Sequence, residues 1–425
     1  MLWQPSLPES YIAMTDAELS ERIRARREQL GHRLVILGHH YQTDEVVRHA
    51  DFLGDSLKLS QLAASVVAER ADAGTPVEHI VFCGVHFMAE TADMLTPDTV
   101  GVILPDLSAG CSMADMATYD DTVEAWDLIH ASLKQTGWTG RIVPITYVNS
   151  SAAIKAFVGA HGGACCTSSN ADQVFEWAMN GGTEPRKADE DGSPEDIKIL
   201  FLPDQHLGRN TASKFGLDVN TQTCVYDPRR AHKGEPLGGA SAFELHNAVT
   251  ILWAGHCSVH KLFRPEHCDD IRASEKDLAA SEKTTILVHP ECSKEVVDKS
   301  DLSGSTEFII NQLRDAPPGS RWAVGTEVHL VARMARECAE RDVHVRILSD
   351  CQCLCTTMSR IDQPHMLWVL DGLCGVGTTK DQATDHPGGT PKARNIIRVH
   401  PEVRESALLA LDRMLEHTGV GTLKD

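Results

Sequence analysis

Short apolar runs that stop at chemistry-bearing residues recur along this chain, and they restrict its fold more than any other feature. Residues 34–37 (LVIL) end in Gly38, His39, His40, Tyr41 and Gln42, and residues 142–146 end in Tyr147, Val148, Asn149, Ser150 and Ser151. Residues 284–288 end in His289, Pro290, Glu291 and Cys292. Runs of this length with no polar alternation mark strands buried on both faces, as in parallel sheets covered by helices. Helical patterns lie between them, so the order strand, helix, strand repeats. Open α/β sheets collect ligands at the carboxyl ends of their strands, which makes the polar residues after each run the candidate site.

Further runs at 79–83, 100–104, 164–166, 198–202, 249–253, 322–324 and 343–348 complete three successive α/β rounds. A helix is expected after Thr15, with Glu18 at capping-box spacing. Others are expected from the residues after Gln42 to about Arg70, interrupted at Gly54, Asp55 and Ser56, and at 86–95, from Ala152, after Asn170, from Thr306, up to Arg341, over 358–373 and over 401–417. The expected divisions are an N-terminal segment and helix (1–30), three α/β domains (31–138, 139–278, 279–392) and a C-terminal helix (393–425). Residues 184–196 are acidic and Pro/Gly-punctuated and are expected to be a solvated insertion; residues 376–393 are expected to be a linker. Sequence self-similarity between the rounds is weak, so the repetition is one of architecture. No G-x-G-x-x-G opens a helix and no G-x-x-x-x-G-K-[ST] occurs, which disfavours dinucleotide and nucleoside triphosphate sites.

The thirteen cysteines carry the second signal. Cys111 and Cys257 each follow a strand and stand next to a glycine or close behind one, where a helix start is expected to lower the thiol pKa. A third group is the alternate run Cys351, Cys353 and Cys355, which fits neither the usual zinc spacing nor a ferredoxin run, so one ligand from it is expected rather than three. Buried inert thiols are the plainer reading of each. Likewise Ser168 or Asn170 could simply cap the following helix, although hydroxyls and free amides there also suit an anion.

The chain has 60 acidic against 40 basic residues, a net charge of −20, which disfavours nucleic acid and anionic membrane as partners. An anionic substrate must then be held by local donors. Neither a signal peptide nor an apolar run long enough to span a bilayer is found, so the expected location is cytoplasmic and the cysteines are thiols or metal ligands.

The segments GHHYQ, GDSLKLS, AGCSMADM, TYVNSSAAIKA, CCTSSNA, FLPDQHLGR, WAGHCSVHKLF, VHPECS, SGST and VGTEVHL, in this order over roughly residues 34–375, resemble the quinolinate synthase family; CTTMSRIDQPH resembles its longer, actinobacterial-type branch. The resemblance implies three Rossmann-like α/β domains in pseudo-threefold arrangement around a central 4Fe-4S cluster with one open iron. Its ligands would be Cys111, Cys257 and, because Met358 falls where the family has the methionine of C-P-x-M, Cys355; Cys353 is the second choice. It also implies condensation of iminoaspartate with dihydroxyacetone phosphate to quinolinate, for NAD biosynthesis, with an aspartate oxidase as the partner that could hand over the imine. By motif position His39, Tyr41, His289 and Glu291 resemble the family's catalytic polar residues, with Glu291 a candidate base. Ser56, Tyr147, Asn149, Ser168 and Thr306 resemble its substrate-binding residues, together with His39, His289 and Glu291. His40, His206 and His329 depart from the family's usual residues and could change the protons available near the site. The competing readings are an iron–sulfur or thiol redox sensor without catalysis, and a zinc protein with a fourth ligand.

Overall fold

The computed structural model describes residues 3–187, 192–350, 353–376 and 393–417. The chain forms two compact units, residues 1–111 with 354–400 and residues 112–353 with 401–425. It is an α/β chain with three mostly parallel sheets in succession.

In the first unit the strands lie in the order Ile396–Ile397, Gly101–Ile103, His79–Cys83, Leu34–His39, Phe52–Gly54. All pairs are parallel except the first, where the returning chain adds an antiparallel edge. Every residue of Leu34–His39 is buried, as its unbroken apolar pattern requires. Asp371 is nearly buried and takes hydrogen bonds from Arg26 Nε (2.6 Å) and Tyr11 Oη (2.8 Å), tying the N-terminal helices to the helix Gln363–Leu373. The capping box of Asp16–Leu30 forms as expected: Thr15 N donates to Glu18 Oε2 at 2.9 Å and Glu18 N to Thr15 Oγ1 at 3.4 Å.

The second unit holds two wholly parallel sheets. One runs Ala164–Cys166, Arg141–Tyr147, Ile197–Leu202, Thr250–Trp253, Thr223–Tyr226; the other runs Leu302–Ser303, Thr285–Val288, Arg321–Gly325, His344–Ile347. The C-terminal helix Pro401–Glu416 packs against the helix Ala152–Ala160 and the strand Ala164–Cys166. Arg413 reinforces this by donating to the carbonyl oxygens of Gly159 (3.2 Å) and Gly163 (2.5 Å).

Some expectations change. The strands Phe52–Gly54, Thr223–Tyr226, Leu302–Ser303 and Ile396–Ile397 were not anticipated, because two to four residues carry too little pattern to register as periodicity. The helix expected over 358–373 is a 3₁₀ turn, Met358–Arg360, followed by an α-helix from Gln363. Of the insertion expected at 184–196, Glu195 is largely buried and paired with Arg141 at 3.0 Å, so its C-terminal end packs where the inner strands of the sheet begin; residues 188–191 lie outside the described residues. The linker expected at 376–393 falls almost wholly outside them too. No described helix is long and apolar enough to cross a membrane.

At Gly159 the C-terminal helix comes very close: a Cβ there would sit 1.9 Å from the Ser406 carbonyl oxygen. An ordinary helical Gly→Ala change stabilises by up to about 1 kcal/mol. Gly159→Ala is expected to do the reverse, destabilising by about 1–3 kcal/mol through overpacking, measured by chemical denaturation. An unchanged or higher midpoint would show that the two helices can part without cost.

Candidate functional site

The strand Thr285–Val288 delivers His289, Pro290 and Glu291 into a buried turn. Asn210, on the helix Gln205–Lys214, fixes that turn by donating from Nδ2 to the carbonyls of Pro290 (2.8 Å) and Cys292 (2.9 Å). Glu291 is 3% exposed, and both of its carboxylate oxygens are engaged. Tyr147 Oη donates to Oε1 at 2.6 Å, and His260 Nδ1 lies 2.9 Å from Oε2. On its far side His260 Nε2 lies 3.2 Å from Thr326 Oγ1. An ionised carboxylate can only accept, so Nδ1 carries a proton toward Glu291, and Nε2 faces the threonine hydroxyl. The result is one hydrogen-bonded line, Tyr147–Glu291–His260–Thr326. The His289 ring stacks on His260, with centroids 4.5 Å apart and planes 16° off parallel.

Burial alone would push the Glu291 carboxyl up, but the His260 and His289 imidazoles and the hydrogen bonds from His260 and Tyr147 outweigh it and hold the group below the usual carboxylate range. Burial, reinforced by His260 and opposed by Glu291, pushes His289 down to about 3. His289 is therefore a neutral imidazole at physiological pH, so Glu291 is held there by His260 and Tyr147. Its Nδ1 accepts from Glu291 N at 3.3 Å, which puts the ring proton on Nε2. Asp204 shows the opposite response: burial and the nearby Glu291 charge push its carboxyl well above the usual range. It accepts from the backbone N–H groups of His206 (2.7 Å), Leu207 (2.8 Å) and Cys257 (3.2 Å), so it both caps a helix and fastens the Cys257 loop.

Cys257, His260 and Glu291 each present a ligand atom within 4.8 Å of the others. Cys111, Cys257 and Cys355 are all half-buried. Each stands three residues before a 3₁₀ turn, respectively Ala114–Met116, His260–Leu262 and Met358–Arg360, and each is followed by a hydroxyl residue, Ser112, Ser258 or Thr356. This corrects the expectation of a helix start at Cys111 and Cys257, since the next α-helices begin only at Tyr119 and Pro265. A three-residue turn aligns too few peptide dipoles to polarise a thiol as a helix end does. Cys353 is fully buried, with Sγ 3.3 Å from Ser349 Oγ, and its carbonyl accepts from Val328 N. Cys351 lies outside the described residues.

In the first unit His39 ends its strand almost fully buried. Its Nδ1 accepts from Tyr41 N at 3.1 Å, and its ring meets that of half-buried Tyr41 edge-on at 4.6 Å. His39 is paired in register with Gly54, so the helix Ser56–Asp72, capped by Asp55, starts half-buried Ser56 beside the same sheet end. In the second unit Tyr147 is paired with Cys166, which makes the loops bearing Asn149 and Ser168 neighbours; both residues are half-buried. Asn149 Oδ1 is buried with no hydrogen-bond partner among the described residues. Val288 is paired with Ser303, which sets Thr306, 4% exposed and first in the helix Thr306–Arg314, next to the His289 turn.

The whole chain was compared with known proteins. Residues 21–416 match the family described as quinolinate synthetase A protein. The chain is 48% identical over 408 residues to the quinolinate synthase of a Nocardioides species, covering 95% of this chain and 91% of the relative. It is 46% identical to that of Streptomyces coelicolor (94% and 89% covered) and 43% identical to that of Bacillus subtilis (97% and 96% covered). The chain belongs to the quinolinate synthase family.

Within this quinolinate synthase fold, His260, Thr326, Asp204 and Asn210 are site residues that reading the sequence did not single out. His260 was within reach, three residues after Cys257 in WAGHCSVHKLF, and Thr326 is the first polar residue after an apolar run. Asp204 and Asn210 gave no signal beyond a cap and a helix interior. Of the departures from family pattern, His206 is pushed down to about 4 by burial and then by Arg209 and His256, so it brings no charge at neutral pH. His40 N donates to the Gly54 carbonyl at 3.2 Å, and His329 N to Glu327 at 2.7 Å.

The shift of His289 dictates how stability follows pH. A histidine whose folded value lies below its ordinary 6.5 contributes stability that is complete above 6.5 and is lost as pH falls toward about 3. Glu291, also depressed, adds loss in the same direction at lower pH. His289→Gln is expected to flatten the stability profile between about pH 6 and 4 by up to about 1.4 kcal/mol per pH unit. Parallel wild-type and variant profiles in denaturation at several pH values would contradict the buried neutral imidazole.

Proposed function

We propose that the chain condenses iminoaspartate with dihydroxyacetone phosphate, releasing phosphate and water, to make quinolinate for NAD synthesis. The observation that carries the reading is the buried line Tyr147–Glu291–His260–Thr326, in a chain 48% identical to a quinolinate synthase. The reaction needs protons removed during enolisation of the triose and returned to departing oxygen. Glu291, with both oxygens occupied, acts through its partners. It orients the Tyr147 hydroxyl and fixes the His260 tautomer, in the hydroxyl–imidazole–carboxylate order by which an imidazole takes a proton while a carboxylate stabilises the resulting imidazolium. An O–H group at Nε2, that of Thr326 or of a substrate in its place, hands its proton there. His289, neutral with its proton on Nε2, donates to developing negative charge. His39 and Tyr41 form the second acid–base pair.

Ser56, Asn149, Ser168 and Thr306 are read as holders of substrate carboxylates and phosphate, and Tyr147, His39, His289 and Glu291 as further substrate-binding residues. The first four are all at helix starts or in the loop before one, where hydroxyls and backbone amides hold anions without a cationic surface. Such donors suit a chain of net charge −20.

Cys111, Cys257 and Cys355 would hold a 4Fe-4S cluster. Of twelve described cysteines eight are buried; the half-buried four are these three and Cys374, whose thiol burial pushes up. The shared pattern of cysteine, hydroxyl residue and 3₁₀ turn favours Cys355 over Cys353, which leucine follows. When bound, such a cluster supplies a Lewis-acidic iron with an open position for a substrate oxygen. Three α/β domains, 31–138, 139–278 and 279–392, would each bring one sheet and one of these cysteines, in pseudo-threefold arrangement around the cluster. An aspartate oxidase is the partner suited to delivering the unstable imine.

Anaerobically purified protein is expected to contain about four iron and four sulfide per chain and to form quinolinate from the two substrates. Cys355→Ala should lose iron and activity while Cys353→Ala keeps both. The reverse result would move the ligand, and fully loaded protein that makes no quinolinate would overturn the function. His260→Ala is expected to lower kcat by about 10²–10⁴-fold with iron content unchanged; a rate within threefold of wild type would remove the proton line from the mechanism.

A further inference from the structure

Asn170 immediately precedes the helix Ala171–Met179, a position at which asparagine normally accepts from first-turn amides. Here no side chain caps that turn, and Asn170 has φ −129° and ψ 12°. Its side chain, 3% exposed, is committed elsewhere. Oδ1 accepts from Thr167 N (2.7 Å) and Thr167 Oγ1 (3.0 Å), and Nδ2 donates to the Met414 carbonyl (3.1 Å) on the C-terminal helix. Thr167 Oγ1 in turn accepts from Ser169 N at 3.3 Å, so the four residues 167–170 form one closed hydrogen-bonded loop with Ser168 at its centre. The loop is joined to the site strand, because Val148 N donates to the Cys166 carbonyl at 2.8 Å. The far support is equally firm: Arg413, the residue before Met414, binds the carbonyls of Gly159 and Gly163, and Gly159 lies directly under Ser406.

An asparagine capping its own helix would occupy the amides that an anion needs. One pinned to the C-terminal helix cannot. We infer that Asn170 is a positioning residue for an anion cradle made of Ser168 and the first-turn amides of Ala171–Met179, and that the C-terminal helix keeps this cradle open by holding the Asn170 amide. This rests on the reading of Ser168 as a substrate-binding residue. The ligand chemistry is a phosphate or carboxylate group, and the two sources are the triose phosphate and the imino dicarboxylate. Aspartate would be a poor replacement. It keeps the acceptor toward Thr167 but loses the donor to Met414, and it sets a negative charge beside the anion.

The test is steady-state kinetics on cluster-loaded enzyme, varying each substrate separately, with iron content and thermal midpoint recorded for every variant. Asn170→Ala is expected to raise KM about three- to tenfold for one substrate, the one whose anion occupies the cradle, with kcat within about twofold and iron content unchanged. Asn170→Asp should raise the same KM further. A lowered thermal midpoint with both KM values unchanged would overturn the inference, leaving Asn170 a structural residue. Ser168→Ala separates the two readings: if it leaves both KM values unchanged, the substrate-binding reading fails, whereas a raised KM in Ser168→Ala with none in Asn170→Ala refutes only the positioning role. Should Asn170→Ala not fold, Arg413→Gln loosens the same helix from its other side. It is expected to raise the same KM by a smaller factor, and an unchanged KM would overturn the inference.

Discussion

A carboxylate with 3% exposure sets the terms for the rest of the second unit. An ionised group taken out of water must be compensated by partners, or it becomes neutral. Glu291 is compensated from two different elements: Tyr147 at the end of an inner strand of one sheet, and His260 on the 3₁₀ turn after another strand of that sheet, while Glu291 itself follows a strand of the other sheet. The pairing therefore fixes one sheet's carboxyl ends against the other's. Asp204 is the counterpart. Two carboxyls sharing a dry pocket cannot both be charged cheaply, and the one without an imidazole partner is the one driven toward its neutral form.

On the proposed function, neutrality is also what reconciles anionic substrates with an acidic chain. Burial strips the charge from His289 and His206 at physiological pH, leaving them as directional donors and acceptors. Hydroxyls and backbone amides at the starts of helices supply the rest. Such donors hold their geometry through packing and hydrogen bonds, which Asn210 under the His289 turn and Asn170 beside Ser168 both illustrate. Neither asparagine has to touch a reacting atom to matter.

Much of the framework was legible because the parallel strands are apolar on both faces, and their ends are therefore conspicuous. His39, Tyr147, His289 and Glu291 all stand where an apolar run stops. The strand Phe52–Gly54 was absorbed into a helical pattern, since three residues cannot establish a period. The environments of Cys111 and Cys257 were misjudged for a related reason: a strand end and a nearby glycine suggested a helix start, whereas the chain makes a 3₁₀ turn three residues later. The repeated cysteine–hydroxyl pair was present in the sequence all along, hidden by the lack of similarity around it.

The sequence by itself determined the α/β class, the succession of three parallel layers, the family and the strand ends at which chemistry collects. These follow from local pattern and from ordered motifs, which need no knowledge of what lies across the fold. Only the tertiary structure decided that His260 and Thr326 complete the Glu291 line, that burial drives the Asp204 carboxyl up while its partners hold Glu291 down, and that Asn170 reaches the C-terminal helix instead of capping its own. Each of these depends on a contact between residues from 31 to 244 positions apart, and charge state inside a protein depends on burial and partners that no local pattern encodes.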